Sequence, residues 1–244
     1  MLIYFDNAAT TMKKPEEVAQ AVCLALSSFG GVGRGVHPAS LAAGRAVFEA
    51  RERIAALLDV SSPNGVAFAL NATMALNIAL QGLAKPGSKI VSTAASHNSV
   101  LRPLFRLRDE LHCEIEIIPI QQDGSLDYAL YEQALSSGDV SLVAVTHASN
   151  VTGDIYDAKR MAQAAHAAGA LFVLDAAQTA GSYPVSMQDI GADVLCFTGH
   201  KSLFGPQGTG GLCVRSSLEI HPLLEGGSGV HLSLIHISEP TRPY

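Results

Sequence analysis

The sequence predicts an α/β protein with a mainly parallel sheet and helices on both faces. Three observations carry this. Strand-like and helix-like segments alternate between residues 66 and 214, and parallel strands need crossover connections that helices supply. The strand-like runs are short and almost continuously apolar, as strands covered on both faces are. The chain has 244 residues, 48% hydrophobic and 16% charged, enough for one large domain or one and a part.

The elements follow in order. After Pro15, a good first-turn residue, Val18, Ala21, Val22, Ala25, Leu26 and Phe29 form one helical face. Gly30 to Gly35 breaks it, and a second helix is expected from Ser40 as N-cap through Val47, Phe48, Ile54 and Leu58. Val66–Leu70, Lys89–Ser92, Glu114–Ile120, Leu142–Thr146, Leu171–Leu174, Val194–Phe197 and Gly211–Val214 read as strands. Thr73–Leu83, Ser99–Leu111, Asp127–Leu135 and Asp157–Ala168 read as the helices between them.

Composition removes several function classes. A formal net charge of −6 leaves too little base for a nucleic-acid partner. No apolar run approaches the roughly 20 residues that span a bilayer, so no membrane association is expected. The start, Met1 to Asp6, shows no secretory signal. Cys23, Cys113, Cys196 and Cys213 are widely spaced and form no CxxC pair, which suits free thiols in a reducing, cytoplasmic compartment. No metal cluster is expected.

In open parallel sheets, ligands bind beyond the carboxyl ends of the strands. The polar residues there are Asn71 and Thr73, His97, Asn150, Asp175 and Gln178, then Thr198, His200 and Lys201. Paired catalytic carboxylates, a GxSxG elbow and a GxxxxGK[ST] loop are all missing, and Val36 breaks the near-miss glycine motif at Gly31 and Gly33. A carboxylate able to pair with a pyridinium, a lysine able to form a Schiff base and a helix start for a phosphate together suit pyridoxal phosphate. Taken singly, each residue has a plainer reading. Asp175 could cap a helix, Thr73 could be an N-cap, Thr198 a strand-end hydroxyl and Asn150 a turn residue before Gly153; His97 could be an ordinary satisfied histidine.

The motifs run in register with a known family. Tyr4-Phe5-Asp6-Asn7-Ala8-Ala9-Thr10-Thr11, Gly33 to Ser40, Asn71 to Asn77 and Ser96-His97-Asn98-Ser99 come first. Ser149-Asn150-Val151-Thr152-Gly153, Asp175 to Gly181 and Gly199-His200-Lys201 follow. Over residues 1 to about 230 the chain resembles the fold-type I pyridoxal-phosphate enzymes of the class V aminotransferase group, within the cysteine desulfurase family. The resemblance implies pyridoxal 5'-phosphate as cofactor and conversion of L-cysteine to L-alanine, with the sulfur passed to an enzyme cysteine. It further implies an amino-acid substrate, a sulfur-acceptor protein and a homodimer.

The resemblance also implies roles. Lys201 would carry the cofactor and shuttle the substrate's α-proton, and Asp175 would keep the ring nitrogen protonated. Gln178 would hydrogen-bond the ring oxygen, and His97 would stack on the ring with a part in catalysis. Thr73 and Ala72 at a helix start, with Thr198 and His200, would hold the phosphate. Asn150 would lie near the substrate carboxylate. Selenocysteine cleavage, amino transfer, or a cofactor-binding fragment that turns nothing over are the alternatives.

Two departures shape the expected domain layout. The family's persulfide-forming cysteine and carboxylate-binding arginine belong to a small carboxyl-terminal domain that the resemblance does not reach, and none of the four cysteines matches. Residues 1–231 are therefore expected to be the cofactor-binding large domain, incomplete at its carboxyl end, exposing apolar surface and inactive by itself. Glu225-Gly226-Gly227-Ser228-Gly229 resembles the loop that reaches a neighbouring subunit's phosphate. Leu232 to Arg242 reads like an in-frame translation of a transposase sequencing adapter, so residues 232–244 are expected to be a foreign tail; a short native tail is the alternative.

Overall fold

Helices begin where a side chain can take up the free amides of a first turn. In the computed structural model, which describes residues 3–32, 35–136 and 138–225, this rule sets most boundaries. Helix α1 (Glu16–Ser28) follows Pro15, with Glu16 and Glu17 at the positive end of its dipole. Helix α2 (Pro38–Leu57) is capped by His37, not by Ser40 as expected. Ser40 has suitable chemistry, but Pro38 at the first helical position starts the helix earlier. Ser40 then lies buried in the first turn, its Oγ 3.0 Å from His37 Nε2.

Strand β1 (Val66–Ala69) leads through Asn71, whose Oδ1 accepts from the Met74 amide at 2.8 Å, into α3 (Ala72–Leu83). Then come β2 (Lys89–Thr93), α4 (Asn98–Leu111) capped by His97, and β3 (Glu114–Ile118). Helix α5 (Tyr128–Ser136) and β4 (Val140–Thr146) follow, then α6 (Ala158–Ala167) capped by Asp157, and β5 (Leu171–Asp175). The short α7 (Met187–Ile190), β6 (Val194–Thr198) and β7 (Gly210–Val214) complete the order. Helix α7 and a 3₁₀ turn at Pro63–Gly65 are too short for periodicity to reveal.

The sheet order is β1-β7-β6-β5-β4-β2-β3. Strands β6, β5, β4, β2 and β3 run parallel, while β7 lies antiparallel to both β1 and β6. Alternation along each strand feeds two cores. Phe172 and Leu174 of β5 face one core with Ala55 of α2, Tyr131 of α5 and Met161 of α6. Val173 faces the other with Leu76 of α3 and Leu104 of α4. The fold is a mainly parallel α/β sheet with helices on both faces. Among the described residues, no helix is long and apolar enough to cross a membrane.

Helix α1 stays outside both cores. No residue of α1 is buried, and Val22, Leu24 and Leu26 are exposed. Residues 226–229 of the expected subunit-reaching loop and the whole of 232–244 lie outside the described residues.

Close approaches at two glycines place the working rim. A Cβ on Gly210 would stand 2.7 Å from Asn71 Cα and 2.8 Å from Phe197 O, so a bare backbone here lets the start of α3 sit beside β6. Gly181 holds φ +92°, and a Cβ there would meet Ser202 O at 2.7 Å, next to Lys201. We expect Gly181→Ala to cost about 1–3 kcal/mol through backbone strain, read as a lower chemical-denaturation midpoint. An unchanged midpoint would show that the loop yields freely.

Candidate active site

The carboxyl ends of β4, β5 and β6 and the start of α3 surround a cavity of about 370 Å³. Ala72, Thr73, His97, Asn150, Asp175, Gln178, Thr198, His200 and Lys201, all nine candidates from the sequence, line it. Asn71, Ser99, Thr146, Ala148 and Ala177 join them, and so do Ala8 and Ala9 from the start of the chain.

Local structure explains each placement. The α3 cap is Asn71 and not Thr73, so Thr73 is left exposed in the first turn with the helix amides beside it. His97 caps α4: its Nδ1 accepts from the Ser99 amide at 3.1 Å, and its ring is exposed at the cavity. Ser149 Oγ accepts from the amides of Val151 and Thr152, both at 3.2 Å, and this turn presents Asn150. Gln178 donates from Nε2 to Ala8 O at 3.1 Å. Thr198, buried at the end of β6, directs its hydroxyl to Thr209 O at a long 3.5 Å.

Asp175 is only 3% exposed. It caps no helix, because a turn follows β5; Oδ1 accepts from the Ala177 amide at 3.0 Å. Burial pushes its carboxyl above the usual range, against the pull of the Ala177 bond, His97 and Lys201. Burial likewise draws the Lys201 amine below its ordinary value, with Asp175 opposing. Burial, then Lys201 and Lys14, lower His200. Desolvation therefore dominates at all three groups. The cavity holds a carboxylate short of positive partners and an amine with increased access to its neutral, nucleophilic form.

Sequence reasoning missed the contribution of the chain's start. Thr10 Oγ1 bonds to His200 O at 3.1 Å and to His200 Nδ1 at 3.0 Å, and Thr11 N donates to His200 O at 3.0 Å. The motif around Thr10 and Thr11 was visible, but no local pattern could assign it a partner 190 positions away. Thr146, at the end of β4, was also passed over, although its strand-end position was a usable signal.

Other hollows offer less chemistry. A larger one of about 750 Å³ is lined by Asp59, His147, Lys159, Tyr183 and Asp189, among others. Its acids are already engaged, Asp59 by Ser186 and Gln188, and Asp189 by Lys159. Its buried His147 is held neutral by desolvation, with Nδ1 3.0 Å from Thr179 Oγ1. Among the described residues, no cluster of His, Cys, Asp or Glu could hold a metal ion.

None of the four free cysteines lines the 370 Å³ cavity. Cys113, Cys196 and Cys213 are buried, and burial pushes the Cys213 thiol up to about 12. We expect a thiol reagent to modify Cys23 alone in the folded chain, the other three reacting only in denaturant. Rapid modification of Cys196 under native conditions would contradict its burial.

Known proteins resemble this chain in sequence and fold. The family model for class-V aminotransferases matches residues 3–241. A probable cysteine desulfurase of Methanothermobacter thermautotrophicus is 35% identical over 232 residues, covering 93% of this chain and 57% of the relative. A cysteine desulfurase of Pectobacterium atrosepticum is 32% identical over 234 residues, covering 94% and 57%. The apo structure of the cysteine desulfurase from Thermococcus onnurineus NA1 superposes with a TM-score of 0.88 at 36% identity, over 98% of this chain and 61% of that one. The chain thus spans 57% of the length of these two curated relatives.

Proposed function

The chain belongs to the class-V aminotransferase family, and on that footing we propose that residues 1–231 form the pyridoxal 5'-phosphate-binding domain of a cysteine desulfurase. The observation that carries the reading is the pairing of Asp175 and Lys201 in one cavity beside the start of α3. The donor set suits this cofactor. A desolvated carboxylate calls for a cationic partner, a depressed amine for a carbonyl, and helix amides with nearby hydroxyls for a phosphate.

Each residue then has work to do. Lys201 Nζ would hold the cofactor and later carry the substrate's α-proton. Asp175 would keep a proton on the ring nitrogen. Gln178 would donate to the ring oxygen, and His97 would cover the ring face. The Ala72 and Thr73 amides, with Thr198 and His200, would bind the phosphate. Asn150 would orient the substrate carboxylate. The bound cofactor supplies an electron-accepting ring that stabilises negative charge at the amino acid's α-carbon.

L-cysteine is the proposed substrate and L-alanine the product. The names of the relatives support this, and no cavity residue argues against a small amino acid. None of the four cysteines lines the cavity, which supports a sulfur-accepting thiol other than these four. A homodimer, a sulfur-acceptor protein and a cytoplasmic setting belong to the same proposal; the unpaired cysteines support the last.

The test is to add pyridoxal phosphate to the purified chain, reduce with borohydride and map the modified peptide. A cofactor-sized mass increment on Lys201 is expected, with no alanine formed from L-cysteine. Absence of any increment would remove the cofactor reading. Alanine formed by the chain itself would move the reading toward a lyase that needs no thiol of its own.

A further inference from the structure

The start of the chain forms a strap across the cavity. Tyr4 Oη donates to Thr10 O at 2.9 Å and lies 3.1 Å from Asp6 O, which folds residues 4–10 back on themselves. The far end grips the segment after β6. Thr10 Oγ1 and Thr11 N both reach His200 O, and Thr11 Oγ1 donates to Lys201 O. Lys14 Nζ ties off the strap, 2.9 Å from Thr11 O and 3.4 Å from His200 O. Between these ends, Ala8 and Ala9 form part of the cavity wall.

We infer that Thr10 and Thr11 are positioning residues, which fix the ring of His200 and the backbone of Lys201 so that both side chains face the cavity that the strap helps to line. The inference rests on the reading of Lys201 as the reactive amine.

Counting protons supports the part of Thr10. Its hydroxyl lies 3.1 Å from His200 O and 3.0 Å from His200 Nδ1; if its single proton goes to His200 O, the contact with Nδ1 uses the ring's own N–H. That bond holds the ring in one orientation, and Nε2 can then donate to a phosphate once the ring is protonated, which a bound anion favours. Without Thr10 the ring is free to turn or to exchange tautomers. Thr11 acts on the next residue. Its bond to Lys201 O holds the peptide from which the amine projects, and Ala8 and Ala9 of the strap line the cavity that holds the amine. The low basicity of Lys201 comes mainly from burial, so opening the strap should restore basicity.

The test uses the purified chain without cofactor, and so separates this inference from the cofactor reading. Competitive acetylation of Lys201 is followed by peptide mass across a pH series, in wild type, Thr10→Val, Thr11→Val and the two Thr→Ser variants. Valine keeps the shape of threonine and removes the hydroxyl. With Thr11→Val, Lys201 labelling below its midpoint should fall about three- to tenfold, since each unit of restored basicity cuts the neutral amine about tenfold. Thr10→Val should give a smaller fall, and the serine variants should return to wild type. The melting temperature serves as control, because a merely structural bond would lower it without moving the labelling profile. Profiles that match wild type in both valine variants would overturn the inference, as would serine variants that fail to restore it. Should Thr11→Val not fold, Tyr4→Phe loosens the strap away from the cavity and is read by the same criterion.

Discussion

Replacing Lys201 with alanine should abolish covalent incorporation of the cofactor altogether, leaving no borohydride-stable increment anywhere on the chain. Lys201 is the amine that the rim brings into the cavity beside Asp175, with burial lowering its basicity. Lys14, the nearest other lysine in the hydrogen-bond network, is engaged by Thr11 and His200 carbonyls. In a turnover-competent form of the proposed desulfurase, losing the proton carrier alone should slow turnover by about 10²–10⁴-fold. Lys201→Arg sharpens the comparison, since arginine keeps the positive charge opposite Asp175 but never offers a neutral amine. It should melt like wild type and still take up no cofactor covalently. Normal trapping in either variant would assign the cofactor to another lysine.

Asp175→Asn should act on binding and stability in opposite directions. A charge-assisted bond to a ring nitrogen contributes about 1.5–3 kcal/mol, so its loss should weaken cofactor binding by roughly 10- to 100-fold. Stability without cofactor follows the carboxyl's titration. Burial raises its folded value above that in the unfolded chain. Its stabilising contribution is thus complete below the ordinary carboxylate range and is lost as pH rises through the raised value. Asparagine does not titrate there. The variant should therefore be as stable as wild type or more so at neutral pH, with that advantage disappearing in acid. The sequence alone suggests a solvent-rim carboxylate whose removal hardly affects folding; its burial instead predicts this pH-dependent gain. Earlier melting at neutral pH with unchanged cofactor affinity would show that Asp175 serves only the turn at Ala177.

The fold was legible where one face pattern dominates. Continuous apolar runs such as Leu171–Leu174 mark strands covered on both sides, and the helices between them follow from periodicity. The antiparallel course of β7 was not legible. Its Gly210 and Gly211 carry no side chains to pattern, and their reason lies in the nearby backbones of Asn71 and Ala67. The start of α2 was misread because Pro38 outweighs the cap preference of Ser40. In the cavity, residues at strand ends could be found because topology sends them to one rim. Ala8, Ala9, Thr10 and Thr11 could not be given a place there, because only tertiary folding brings the strap to the segment after β6.

That long reach bears on how the protein is made. The strap leaves the ribosome early, yet its partners His200 and Lys201 are added 190 positions later. At about 5–20 residues per second, the interval is on the order of ten to forty seconds. Throughout it, Thr10 and Thr11 lack the His200 and Lys201 carbonyls that they bind in the folded chain. The sheet from β2 to β5 can pair as it emerges, whereas the cavity wall closes only after β6 has joined. On the proposed reading, cofactor capture would await this late event in synthesis. Nascent chains arrested before Lys201 should be protease-sensitive between residues 4 and 14, and chains released beyond β7 should be protected there.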